Sequence, residues 1–333
     1  MDFLPTPDQS QIVDACRQFL AQELPLERLQ HRFDDRRLWP GLGELGWFGI
    51  GVDAQHGGSG MTLLEEMLVC IEAGRHLVSP ALLASLLGAH LAAACGGADL
   101  AQPIIAGART VALALPLGDC RVSAAALSGE LYVFDGAGSD ALLVVTPDGA
   151  ALLANTDAGT PQAGMDESVH LSVLTLRNAR PEAWLADTGL YRRGVLLSAA
   201  LAVGAAEQVK DLSVAYAGER TQFGRPIGSF QALKHRCADM AVRNEAALSL
   251  LIQACLEQAD NLPGADFDAP AAKLLADEAA AHNAADSVQI HGAMGFTREM
   301  PVHFFLKRAH LLSQLFGDRR SLLSDLAQLP TPA

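Results

Sequence analysis

Over the first third of the chain, apolar residues recur at helical spacing, with Gln9 to Leu24 one amphipathic stretch and Leu63 to His76 another. Between them, Leu45-Gly46-Trp47-Phe48-Gly49-Ile50-Gly51-Val52 leads into His56-Gly57-Gly58-Ser59-Gly60. That glycine run lacks the Lys-Ser/Thr ending of a phosphate-cradling loop, so it reads as a tight turn between helices. From about Thr110 the pattern changes to short apolar runs punctuated by Gly, Asp and Pro: Thr110 to Leu115, Glu130 to Phe134, Ala141 to Val145, Ala151 to Leu153 and Val169 to Thr175. Their lengths and bounding turn residues predict β-strands.

From Thr188 the helical pattern returns. Ser229 to Asp260 places Leu233, Cys237, Met240, Ala247, Leu251 and Cys255 on one face of a helix too long to stand alone on a surface, so it belongs to a bundle. A further helix is expected from Asp268, as N-cap with Pro270 in the first turn, to near Ile290, with Gly292 as its stop. The expected fold is α+β: a helical domain at residues 1–107, a β domain at 108–185 and a helical bundle at 186–333.

Composition sharpens this picture. The 333 residues are half hydrophobic, enough for a large core in two or three domains, and only 12 Phe, 3 Trp and 3 Tyr stand against many Ala and Leu, which argues against an all-β protein. A formal net charge of −14 speaks against nucleic acid or an anionic membrane as a partner, since both attract the opposite sign. Any anionic ligand then needs a local cluster of donors. The cysteines at 16, 70, 95, 120, 237 and 255 show no CxxC pair or metal-finger spacing and read as small buried hydrophobes in a reducing compartment. No basic segment followed by an apolar run follows Met1-Asp2-Phe3, and no uncharged apolar stretch is read as reaching the ~20 residues that span a bilayer, so a cytoplasmic protein is expected.

No GxSxG elbow, HExxH pair or GxGxxG after a strand is present, which removes direct support for a serine hydrolase, a zincin or a Rossmann dehydrogenase. Two denser segments remain. Glu219-Arg220-Thr221-Gln222-Phe223-Gly224-Arg225-Pro226-Ile227-Gly228-Ser229-Phe230-Gln231-Ala232-Leu233 reads either as a helix-helix turn capped by Ser229 or as a fixed guanidinium beside backbone donors that holds a diphosphate. Gln289-Ile290-His291-Gly292-Ala293-Met294-Gly295-Phe296-Thr297-Arg298-Glu299-Met300-Pro301-Val302 reads either as a sharp turn between packed helices or as a place where small residues admit a ligand or another chain.

Taken together, the two segments resemble the two best-known stretches of the carboxy-terminal domain of acyl-CoA dehydrogenases, and the likeness extends to Glu44-Leu45-Gly46-Trp47 through Gly57-Gly58-Ser59-Gly60-Met61 and to Glu72-Ala73-Gly74-Arg75. The resemblance implies the family's fold, with a carboxy-terminal four-helix bundle, and FAD as cofactor. It places Arg220 and Gln222 at the diphosphate, Phe223 packing nearby, Gln231 in the following helix, and Gln289, Gly292 and Ala293 toward the adenine. In the family most of these contacts reach the flavin of a neighbouring subunit, which implies an obligate oligomer. The family's Thr-Glu-Pro-rich loop is replaced near Leu113 to Cys120, and its Trp-Ile/Val-Thr-Asn stretch reads Tyr132-Val133-Phe134-Asp135-Gly136-Ala137.

The family takes an α-proton with a Glu at one of two positions. Here those positions hold Phe316 and Gly194, and neither abstracts a proton. Asp318, two residues on, reads as a turn or cap carboxylate or as an atypical base. The expectation is therefore a short subunit of the heteromeric, steroid side-chain type, a heterotetramer whose second acyl-CoA dehydrogenase subunit supplies the base for an acyl-CoA substrate. The alternatives are a self-sufficient homo-oligomer and a non-catalytic structural subunit.

Overall fold

The structure is a computed structural model that describes residues 4–31, 35–186 and 189–329. Met1-Asp2-Phe3, read for a targeting signal, and Thr188, the expected start of the second helical region, lie outside the described residues.

The helices α1 (Pro7–Glu23), α2 (Trp39–Glu44), α3 (Leu63–Arg75) and α4 (Ala81–Ile105) come first. Seven strands follow: β1 (Val111–Arg121), β2 (Leu127–Phe134), β3 (Ala141–Thr146), β4 (Gly149–Ala154), β5 (Thr160–Gln162), β6 (Leu171–Ala179) and β7 (Ala183–Leu185). Then come α5 (Gly189–Glu219), the short strands β8 (Thr221–Gln222) and β9 (Arg225–Pro226), and α6 (Gln231–Ala259), α7 (Ala265–His291), α8 (Val302–Leu312) and α9 (Arg319–Gln328). The helix, sheet, helix order is the expected α+β organisation. By contact the chain forms two compact units, Asp34–Glu66 with Ser79–Val195, and Met1–Phe33 with Met67–Val78 and Leu196–Ala333.

The first unit holds the seven-stranded sheet, ordered β5-β6-β2-β1-β3-β4-β7. The β1–β3 pair is parallel, aligned Val111 with Ala141, and the other neighbours are antiparallel. Alternate residues Ala112 and Ala114, Leu142 and Val144, and Ala151 and Leu153 build one apolar face with Leu131, Val133 and Leu174. α4 packs against β1, β3, β4 and β7. This helix corrects the reading of the apolar runs, because it is long and apolar enough to cross a membrane by composition alone. Its most apolar window is 67% buried within the protein, as a core helix requires.

In the second unit, α5, α6, α7 and α8 share one core built from Ala205, Val209, Met240, Ala284, Val288, Phe304 and Phe305 among others. α7 turns Ala265, Ala269, Ala272, Ala276, Ala280 and Ala284 inward at helical spacing, so neighbouring backbones come close. Asn283 is fully buried and bridges, donating to the carbonyls of Met240 at 3.0 Å and Ala206 at 3.3 Å and accepting from Arg243 Nε at 3.0 Å. α3 and α5 meet at their glycines: a Cβ on Gly74 would lie 2.2 Å from the Leu201 carbonyl oxygen, and one on Gly204 1.9 Å from that of Ile71. The Glu72-Ala73-Gly74-Arg75 motif thus marks a helix crossing. Glu72 accepts from Arg17 at 2.7 Å, and Arg75 pairs with Glu207 at 3.2 Å and Asp211 at 2.9 Å.

Two expected caps are corrected. α7 starts at Ala265, three residues before Asp268, whose N–H already donates to the Gly264 carbonyl at 2.9 Å. The Asp268 carboxylate accepts instead from Gln253 on α6 at 2.8 Å. Ser229 does not cap α6: the N-cap is Phe230, without a side-chain bond, and the buried Ser229 hydroxyl has no partner among the described residues.

Candidate functional site

The polar elbow after α5 folds as a two-residue β-hairpin. Thr221 pairs with Pro226 and Gln222 with Arg225, and Phe223 (φ 53°) and Gly224 (φ 77°) form the tip. Two successive left-handed residues give the turn the twist that such a hairpin needs, and glycine takes one of them without strain. Phe223 is 91% exposed, an unusual place for an aromatic ring, and meets Phe230 edge-on at 6.1 Å. Arg225 lies over the Phe230 ring at 4.2 Å. Arg220 is anchored by its backbone, which donates to Tyr216 at 2.9 Å and accepts from Ile227 at 2.8 Å. Its guanidinium has no side-chain partner among the described residues.

At the far end of α7, Gly292 (φ 62°) stops the helix and a 3-10 turn follows over Gly292–Phe296. Hairpin and turn wall one cavity of about 490 Å³, lined by Tyr216, Arg220, Gln222, Phe223, Ile227, Phe230, Leu233, Gln289, Ile290, His291, Gly292, Ala293 and Met294. Six of the seven residues assigned from the sequence line it. The seventh, Gln231, is exposed at the first position of α6 and is not among the lining residues.

Sequence reasoning passed over Tyr216, Phe230 and His291. Tyr216 sits four residues before Arg220, the spacing that puts two side chains on one helix face, and that signal could have found it. The Tyr216 and His291 rings stack at 4.2 Å. Burial lowers the His291 pKa, partly offset by a hydrogen bond to the Ser287 carbonyl, so the ring is neutral near pH 7.

This donor set suits the adenosine diphosphate end of FAD: an unengaged guanidinium for the diphosphate, aromatic walls, and a glycine turn that admits close approach. At the end of β2 the side chains suit the flavin ring less. Phe134, which the sequence resemblance aligns with the family's Thr, is buried. Asp135, in the left-handed region at φ 51°, accepts from the Ser79 hydroxyl and from the His170 N–H at 2.9 Å, and its carbonyl accepts from Arg36 at 2.8 Å. Its carboxylate is fully engaged in holding three chain segments together. Nearby in the same unit, Glu66 is wholly buried and accepts from Arg193 and from His90 at 2.6 Å. Burial opposes its ionisation, but His90 and Arg193 outweigh it and hold the carboxyl below its ordinary pKa.

Of the two residues that the sequence resemblance aligns with the family's base, Phe316 is 2% exposed in a left-handed turn (φ 57°), and Gly194 is buried in α5. Asp318 is the N-cap of α9: it accepts from Ser321 N–H at 2.8 Å, and hydrogen bonds from Ser321 hold its pKa below the ordinary value. A base needs the opposite tuning and a free lone pair directed at its proton. On α5, Glu207 pairs with Arg75, and Glu219 is exposed at the end of the helix.

The acyl-CoA dehydrogenase amino-terminal domain matches residues 6–105, and the carboxy-terminal domain matches residues 188–328. The chain is 34% identical over 295 residues to acyl-CoA dehydrogenase IpdE2 of Mycobacterium tuberculosis, covering 88% of this chain and 86% of that one. Among solved structures it resembles the ChsE4-ChsE5 complex from Mycobacterium tuberculosis, with TM-score 0.85 and 27% identity over 99% of this chain and 100% of that one. Butyryl-CoA dehydrogenase from Megasphaera elsdenii shares the fold at TM-score 0.85 and 22% identity, covering 98% and 99%. The helix, sheet, helix order, the hairpin and glycine turn brought to one cavity, and these matches along nearly the whole chain have one reading: the protein belongs to the acyl-CoA dehydrogenase family of FAD-dependent oxidoreductases.

Proposed function

We propose that this chain is one subunit of a heteromeric acyl-CoA dehydrogenase, in which it holds the adenosine diphosphate end of FAD and a second, related subunit supplies the catalytic base. When bound, FAD supplies the hydride acceptor for the β-carbon of the thioester. The α-proton needs a carboxylate, and the observation that carries the proposal is the state of this chain's own candidates. Phe316 fills one family position with a buried ring, Gly194 has no side chain, and Asp318 is engaged as a helix cap. The similarity to a protein solved as the ChsE4-ChsE5 complex supports a paired assembly. The substrate is proposed as a bulky acyl-CoA of the kind formed from sterol side chains. Arg220 and Gln222 would face the diphosphate, with Phe223 alongside. Gln289, Gly292 and Ala293 would face the adenosine.

The test is reduction of bound flavin by short, branched and steroid-derived acyl-CoAs. The chain is assayed alone and after co-expression with a second acyl-CoA dehydrogenase subunit. Loss of general base catalysis removes ~10²- to 10⁴-fold in rate, so the chain alone should reduce flavin negligibly and the pair rapidly. Rapid reduction by the isolated chain that disappears in Asp318→Asn would replace this reading with the self-sufficient homo-oligomer. Absence of flavin from the chain and from every pair would favour a structural subunit.

A further inference from the structure

Tyr216 stands near the end of α5, one turn before Arg220, and both residues line the cavity. Side chains four apart share a helix face, with their Cβ atoms about 5–6 Å from each other. The phenol ring is held from two directions, since it packs against the core of the helical bundle and stacks on the His291 ring at 4.2 Å. That second ring is itself tied to α7, where its Nδ1–H donates to the Ser287 carbonyl at 2.8 Å. A ring fixed in this way has little rotamer freedom left to lose when a ligand binds.

The Tyr216 hydroxyl makes no hydrogen bond among the described residues, and it is not sealed inside the protein as the buried polar atoms without partners are. With the core behind it and His291 over one face, the half-buried residue is left open on the side that lines the cavity. A phenol kept for packing alone has no use for its oxygen. Beside a guanidinium with no side-chain partner, that oxygen is a neutral donor one turn from a charged one, a pairing suited to an anion with several acceptor oxygens.

We infer that the Tyr216 hydroxyl donates a hydrogen bond to the diphosphate of the nucleotide held in this cavity, alongside Arg220. This rests on the proposed function, which puts the adenosine diphosphate end of FAD there. The guanidinium supplies the charge that the diphosphate needs in a protein of net charge −14, and the fixed hydroxyl supplies direction.

The experiment titrates the flavin-free full chain with ADP and with adenosine by calorimetry, for wild type, Tyr216→Phe and Arg220→Ala. Phe keeps the ring on His291 and against the core and removes only the hydroxyl, and melting temperatures of each variant check that the fold is retained. The expected result is an ADP affinity about tenfold weaker in Tyr216→Phe, because a hydrogen bond to a charged acceptor is lost, with no loss for adenosine. An unchanged ADP affinity, or equal losses for ADP and adenosine, would overturn the inference. If Arg220→Ala weakens ADP while Tyr216→Phe does not, the role of the hydroxyl falls and the diphosphate site stands. If wild type binds neither ligand, both fall.

Discussion

The wall of the cavity and the end of β2 treat their polar groups in opposite ways. Around the cavity, among the described residues, Arg220 carries a guanidinium with no side-chain partner and His291 a buried nitrogen with none, and Phe223 holds an exposed ring. At the end of β2, both carboxylate oxygens of Asp135 accept from the protein itself, and in the same unit Glu66 is closed off by Arg193 and His90. Under the proposed function, FAD completes the first region. The second is complete, and its polar residues secure the fold. Two carboxylates that would attract attention in a search for catalytic groups are therefore tie points, while the more informative residues are those left without a partner.

The contrast predicts that substitutions in the second region change stability and those in the first change ligand retention. The largest effect should come from Glu66→Gln, which leaves Arg193 facing a neutral amide in a buried place; breaking such a pair costs about 3–5 kcal/mol, read as the urea midpoint at constant slope. Because Glu66 has a depressed pKa in the folded state, its contribution is present above the unfolded carboxyl value of about 4.3 and is lost as pH falls through the lower folded value. The Gln variant should accordingly show a shallower loss of stability between neutral pH and acid. An unchanged acid limb would remove Glu66 from the group of tie points.

Asp135→Ala should follow, at about 2–3 kcal/mol, since the Ser79 hydroxyl and the His170 N–H lose their acceptor and alanine is strained at positive φ. Asp135→Asn, which keeps an acceptor and tolerates that conformation, should recover much of the loss. Equal destabilisation by both would mean that charge, rather than the hydrogen bonds, holds the three segments. The smallest change in stability, within about 0.5 kcal/mol, belongs to Arg220→Ala on the exposed hairpin. That variant should instead weaken FAD retention in the assembled complex by ~1.5–3 kcal/mol of charge-assisted hydrogen bonding. Full flavin occupancy after gel filtration would break the comparison from the cavity side.

The difference between the regions also explains what the sequence could reveal. Five apolar runs announced β1, β2, β3, β4 and β6, because each buries several consecutive or alternating residues. β5 is exposed throughout and, like β7, has only three residues, so neither carried a pattern. α4 lies within the helical region expected over residues 1–107, but its buried first part, Ala81 to Ala93, is apolar almost all round and offered no amphipathic pattern to mark it off as a core helix before the kink at Gly97. Asp268 looked like a cap by residue type, yet its carboxylate was drawn to Gln253 across the bundle. The hairpin and the glycine turn were legible as motifs, but that they wall one cavity is a matter of tertiary packing. Glu66 finds its partners 24 and 127 residues away, and Asp135 finds its own 35 and 56 away, distances over which no local spacing informs.

The burial of Phe316 bears on what a single substitution can achieve at that position. A polar group facing a substrate cleft is easily exchanged, because water or ligand meets whatever replaces it. A ring that has settled at 2% exposure beside Leu315 is different, since the surrounding side chains have closed on its volume. A glutamate at this position would bury an ion among apolar side chains, at a desolvation cost of several kcal/mol per ion. A carboxylate at this position would therefore require the surrounding packing to be rebuilt, which is why the proposed function looks to a second subunit for the base.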